Sequence, residues 1–136
     1  MTLATTAANL RKIQRRMQDA ECQTVFMTYY APDPERVEKN RMQHFYDCMD
    51  LVRQAAADTG AGLIDHLHRW ELLRQNCPQT YQLLLRDELH QNDRGNMLMA
   101  LDMARCFKAP VPVGMSKEID DAMAVQELAD HLENNP

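Results

Sequence analysis

Two Asp-x-x-His steps, Asp65 with His68 and Asp87 with His90, set a carboxylate three residues ahead of an imidazole. On a helix that spacing brings both groups to one side of a turn, where they can share a metal ion as in di-iron bundles. The neighbouring apolar residues argue against that use. Read as helix, Asp65 lies roughly 160° from Leu67 and His90 roughly 140° from Leu85, so both pairs turn away from the stripes that must pack inward. No pattern supplies the further carboxylates that a two-metal bundle site needs. The pairs therefore read as solvated surface pairs, and neither a metal nor another cofactor is expected.

Among the five histidines, only His66 stands on an apolar face, beside Leu63, Leu67 and Trp70, and it reads as a hydrogen-bonded core residue. The cysteines Cys22, Cys48, Cys77 and Cys106 form no CxxC pair, which points to reduced thiols rather than zinc ligands or a disulfide framework. No local motif marks a catalytic Cys–His pair, a nucleophile elbow, a phosphate-cradling glycine loop or HExxH. An enzyme or metal–carboxylate protein is accordingly the third reading of function.

One basic cluster, Arg11, Lys12, Arg15 and Arg16, sets four cations within two helical turns, and these residues could neutralise phosphates. No aromatic side chains interleave with them for base stacking. Nucleic-acid association through this cluster is the alternative reading, set against a simply solvated helix face.

The elements that position these groups read as helices throughout. The chain has 136 residues with four glycines and six prolines, and helix formers dominate over β-branched residues. The first helix is expected from about Ala4 to Tyr30, on a seam of Leu3, Leu10, Ile13, Met17, Ala20, Thr24 and Met27. Its end, Val25–Tyr30, is β-prone, but no partner strand is evident, so it is kept as helix. Asp33 and Pro34 are expected to start helix 2, which stops where Gly60 supplies a left-handed C-terminal position. Helix 3 carries Leu63, Leu67, Trp70 and Leu73. Helix 4 carries Tyr81, Leu84, Leu85 and Leu89 and ends near Gly95. Helix 5, about Asn96 to Lys108, is apolar nearly all round, with Asp102 and Arg105 as a pairable polar strip. Residues 109–115 form a proline-rich connector, and Ser116 caps an acidic C-terminal helix over 116–136. The fold expected is all-α: one domain, residues 1–136, a compact bundle of five to six helices with a mostly buried helix 5.

Charge and methionine point towards partners. Residues 1–115 balance, and residues 116–136 set Lys117 against six acids, so they hold the whole net charge of −5. That distribution does not favour a general nucleic-acid affinity. The start of the chain has no apolar signal core, and no apolar run is long enough to span a bilayer. A cytoplasmic protein with no membrane partner is expected. Ten methionines are an excess, and methionine suits adaptable contact surfaces. The function expected is therefore non-catalytic: an adaptor, inhibitor or regulator that binds another protein, with a homodimer as one form. Its contact residues would be Met97, Met99, Met103 and Phe107 on helix 5 and Asp120, Asp121 and Asp130 on the acidic helix.

Overall fold

A computed structural model describes residues 2–111, 114 and 116–135. Pro112, Val113 and Met115 of the expected connector lie outside the described residues. Six helices and one two-stranded sheet make up the described secondary structure, so the all-α expectation holds with a small sheet added. In chain order they are α1 Leu3–Asp19, β1 Val25–Met27, α2 Lys39–Thr59, β2 Gly62–Ile64, α3 His66–Asn76, α4 Pro78–Gln82, α5 Asp93–Cys106 and α6 Lys117–Asn134. Contacts divide the chain into two compact units, Met1–Tyr29 with Glu38–Asp65, and Tyr30–Val37 with His66–Pro136.

The first unit is α1, β1, α2 and β2. Thr2 caps α1 through a bond from Thr5 N, and the helix stops at Asp19 rather than running to Tyr30. Val25–Met27 is a strand after all. It pairs in parallel with Gly62–Ile64, Phe26 opposite Leu63, so the partner strand was concealed in what reads as the start of helix 3. A parallel pair needs a crossover, and α2 supplies it. Phe26, Ala55 and Ala56 form the core, with Leu10, Val52 and Ala61 packed on it. The expected α1 seam is displaced as well: Ile13 and Met17 are exposed, and Gln14 is the buried position. Gly60 ends α2 at φ 67°, as expected from its freedom in that region. The start of α2 is later than expected. Asp33 accepts from Glu35 N in a turn, and the helix begins only at Lys39.

The second unit gathers α3, α4, α5 and α6 around an aromatic cluster. Trp70 has no solvent exposure and lies 4.9 Å from Tyr30 and 6.4 Å, edge-on, from Tyr81 between ring centres. Helix α6 docks on α3 and α5 of the same unit. Ser116 caps it through Ile119 N. Helix α4 has a single turn, and a loop follows it to Asn92. Asn92 rather than a later residue caps α5, by accepting from Arg94 N and Gly95 N. Gly95 thus sits inside the first turn of α5 instead of ending α4. A Cβ there would come within 2.6 Å of the Leu84 carbonyl oxygen and 2.8 Å of the Trp70 ring.

Burial of α5 is one-sided. Leu98, Leu101 and Asp102 are buried, while Met103 and Phe107 stand 38% and 61% exposed on the opposite side. The expected mostly buried helix is therefore an interior face plus an open apolar one. Asp102 does not pair with Arg105. It turns inward, to within 3.1 Å of His66 Nδ1 and 3.1 Å of Arg69 Nε, while Arg105 pairs with Asp130 and Glu133 on α6.

The crowding at Gly95 sets a test. Gly95→Ala should destabilise the protein by about 1–3 kcal/mol, because neither a backbone carbonyl nor a packed indole can retreat cheaply. Thermal melts followed by circular dichroism would show this as a lower Tm. At Gly60, where nothing lies within 4 Å, alanine meets only backbone strain, and about 1 kcal/mol is expected. Equal melts for wild type and Gly95→Ala would mean that the first turn of α5 has room to spare.

Candidate active site

The loop between α4 and α5, residues 83–92, is held in place bond by bond. Ten residues with no helix or strand ladder normally leave their backbone to water, but here most polar groups have protein partners. Asn92 N donates to Leu84 O at 2.9 Å, and the Asn92 side-chain amide donates to Leu83 O and Leu85 O at 2.8 and 3.2 Å. Leu85 and Gln91 form an antiparallel bridge. Arg86 N and Asp87 N both donate to His90 O. From the core side, the buried Tyr30 hydroxyl donates to Leu89 O and accepts from Gln91 N at 3.1 Å. Asp33 N reaches Glu88 O at 3.0 Å.

At the tip of this loop Asp87 and His90 meet. Asp87 Oδ1 accepts from Leu89 N at 2.9 Å, from His90 N at 2.8 Å and from His90 Nδ1 at 2.8 Å; Oδ2 lies 3.0 Å from the same ring nitrogen. The Leu89 N–H bond above all, then the His90 side chain and backbone, hold Asp87 down at a pKa of about 2. It is an anion at every physiological pH and can only accept hydrogen bonds. His90 Nδ1 must then carry the proton, and in the neutral ring Nε2 presents its lone pair. Nε2 makes no hydrogen bond among the described residues, and the His90 side chain is 56% exposed. A fixed anion behind Nδ1 and an open Nε2 in front is the geometry of an oriented general base.

The sequence pattern had selected this pair but set it on a helix, facing away from the core. It lies instead in a turn that the core clamps. The other pair is not a site. Asp65 is taken by Arg53, at 2.7 and 3.0 Å, and by the Thr28 hydroxyl at 2.8 Å, while His68 is exposed on α3. His66 is the fully buried histidine, paired with Asp102. No group of three or more His, Cys, Asp or Glu side chains is arranged to hold a metal ion among the described residues.

The remaining candidates fall into three places. Arg11, Lys12, Arg15 and Arg16 form one exposed face of α1 around Ala8 in the first unit, lining an open groove of about 470 Å³, and Arg11 is paired with Asp58 at 3.3 Å. Met103 and Phe107 are on the open face of α5, while Met97 and Met99 are half-buried, Met99 accepting from the Gln91 amide. The acidic residues are engaged within the second unit: Asp120 accepts from Gly114 N, Asp121 pairs with Lys117, and Asp130 pairs with Arg69 and Arg105.

What sequence reasoning missed is the clamp. Tyr30, Asp33 and Asn92 act on the loop from up to 61 residues away. Only Asn92 left a signal, as an Asn directly before Asp93 in cap position. Comparison with protein-family models, curated proteins and solved structures finds no match to this chain. No helix among the described residues is long and apolar enough to cross a membrane.

If the loop depends on its clamp, Tyr30→Phe should raise the amide exchange rate at Gln91 and cost about 0.5–1.5 kcal/mol for the part-buried bonds to Leu89 O and Gln91 N that it removes. Exchange unchanged at Gln91 would show that the loop holds without it. The pH dependence has a definite sign. Because folding depresses the Asp87 pKa from 3.8 to about 2, its stabilising effect is complete above pH 4 and fades as pH falls towards 2. Asp87→Asn should flatten that acid limb in urea melts taken across pH 2–5.

Proposed function

We propose that the protein is an enzyme of hydrolytic type, in which His90 is the general base and Asp87 orients it. The observation that supports this is the Asp87–His90 pair on its clamped loop, with Nε2 open to solvent. His90 Nε2 takes a proton from a water or hydroxyl brought to the site, and the resulting imidazolium is stabilised by the Asp87 anion behind it. The oxygen so activated attacks an electrophilic carbonyl, and the base returns its proton to the leaving group. No Ser, Thr or Cys side chain bonds to His90 among the described residues, so the attacking oxygen comes from water, substrate or another segment. Asp87 keeps the ring in the productive tautomer, so its loss acts through His90.

The test is ester hydrolysis, for example of p-nitrophenyl acetate, compared with free imidazole at the same concentration. Wild type should exceed imidazole, His90→Ala should lose about 10²–10⁴-fold of the excess, and Asp87→Asn should fall while the fold is retained. A rate no better than imidazole, or one indifferent to His90→Ala, would leave the pair a surface ion pair.

A second reading is favoured by the open face of α5: binding to another protein, a second copy included, within the cytosol. Exposed Met103 and Phe107 opposite a buried Leu98–Leu101 face form an unusual solvent surface for a helix. Light scattering after gel filtration should show a concentration-dependent dimer that Phe107→Asp abolishes. A monomer at every concentration would remove self-association from this reading.

A further inference from the structure

In the first unit, one nucleophilic side chain has a base beside it. On α2, Cys48 Sγ lies 3.7 Å from His44 Nε2, within reach of a hydrogen bond from the thiol to the ring nitrogen. The two residues are one helical turn apart, so α2 itself holds them together. With Asn40, Arg41 and Phe45 they line a shallow depression of about 510 Å³ that opens to solvent. Cys48 is half-buried and His44 exposed, so a small molecule reaches both. The other free thiols lack such a neighbour. Cys22 donates to the Ala20 carbonyl oxygen at 3.5 Å, and no imidazole bonds to Cys77 or Cys106 among the described residues.

A thiol attacks as its thiolate, and at neutral pH an ordinary cysteine is only a few per cent ionised. A base at hydrogen-bond distance lifts that limit by taking the proton as the sulfur attacks. With Nδ1 protonated and Nε2 carrying its lone pair, His44 takes the Cys48 proton directly. We propose that Cys48 is a modification site where small organic disulfides form a mixed disulfide, with His44 as the base. The Cys48 sulfur attacks one sulfur of the disulfide, the new S–S bond forms, and the old one breaks. The leaving thiolate takes up the proton that His44 received, so one small thiol is released for each protein thiol consumed. The incoming disulfide is the oxidant, and no further reactant is needed. Phe45 gives its organic group an apolar wall. This inference does not rest on the hydrolytic reading, because His44 and Cys48 share no contact with the Asp87–His90 pair.

Reaction of the full chain with a dipyridyl disulfide at neutral pH, followed over time by peptide mass mapping, gives a rate for each cysteine. Cys48 should react about tenfold faster than Cys22, although Cys22 is the more exposed thiol. The gain is bounded, because complete ionisation multiplies a few per cent of thiolate only by tens. His44→Ala and His44→Gln should each slow Cys48 about tenfold and leave the Cys22 rate as it was. Glutamine keeps a hydrogen-bond acceptor near the sulfur but takes no proton, so it separates the action of a base from packing. His44 is exposed, so neither variant disturbs the core. Cys48 no faster than Cys22, His44→Gln as fast as wild type, or equal slowing of Cys22 and Cys48 would each overturn the assignment.

Discussion

Asp102 has almost no access to water, and the second unit is arranged around that fact. A buried carboxylate is costly unless its lone pairs and its charge are both answered. His66 and Arg69 from α3 answer it at 3.1 Å each, His66 Nδ1 at Oδ2 and Arg69 Nε at Oδ1, and the Gln126 amide from α6 approaches that same Oδ1 at 3.5 Å. Arg69 is itself buried, and it extends the network to Asp130 and Glu133 at 2.6 and 2.7 Å. Burial alone would lower the Arg69 pKa, but the coulombic pull of Asp102, then Asp130 and Glu133, outweighs it and holds the guanidinium more firmly charged than usual. Removing one partner would strand a charge at a cost of about 3–5 kcal/mol, so three helices are locked into one relative placement. Hydrophobic contacts alone tolerate small sliding, whereas a bonded ionic network does not.

That rigidity matters for the loop that α3, α4 and α5 support. An exposed ion pair contributes about 0–1 kcal/mol to stability, far too little to account for the bonds that converge on residues 83–92. The bonds do something else: they fix where His90 points. Tyr30 illustrates the economy, since a single buried hydroxyl satisfies one carbonyl and one amide of the loop while its ring packs on Trp70. The ring sets the position and the hydroxyl sets the register. In the proposed reading of His90 as a base, a scaffold orients a side chain that itself stands in solvent, the division of labour found at sites carried by loops on rigid supports.

Much of the helical frame could be read from residue order. Gly60 as a stop and Ser116 as a cap are local signals, and local signals are legible without a fold. The strands were not. Val25–Met27 is only three residues long, and its partner lies beyond the whole of α2. Gly62-Leu63-Ile64 has no alternation long enough to betray a strand, and its flank runs on into a true helix. The α1 seam failed for a related reason: with a strand following Asp19, the packed side of the helix rotates to Leu3, Ala7, Leu10 and Gln14, leaving Ile13 and Met17 outside. Asp87 and His90 were legible as a pair, but their setting was not. What holds them is the backbone of a turn and a tyrosine far away in sequence, and neither is written in a three-residue spacing.

The net charge shows how a total can mislead when its distribution is unknown. The cations and acids of the first unit balance, and the whole charge of −5 falls on the second. An acidic helix behind a proline-rich connector suggests a surface awaiting a basic partner. In the folded unit, Asp130 and Glu133 are spent on Arg69 and Arg105, and Asp121 on Lys117 and Arg94. These acids face cations of the same unit because α6 must cover α3 and α5, whose arginines would otherwise be desolvated without counter-charge. The charge that remains for solvent is that of Glu118, Glu127 and, in part, Asp120. The acidity of α6 is therefore first a folding device, which satisfies the buried guanidinium on which the frame of the unit depends.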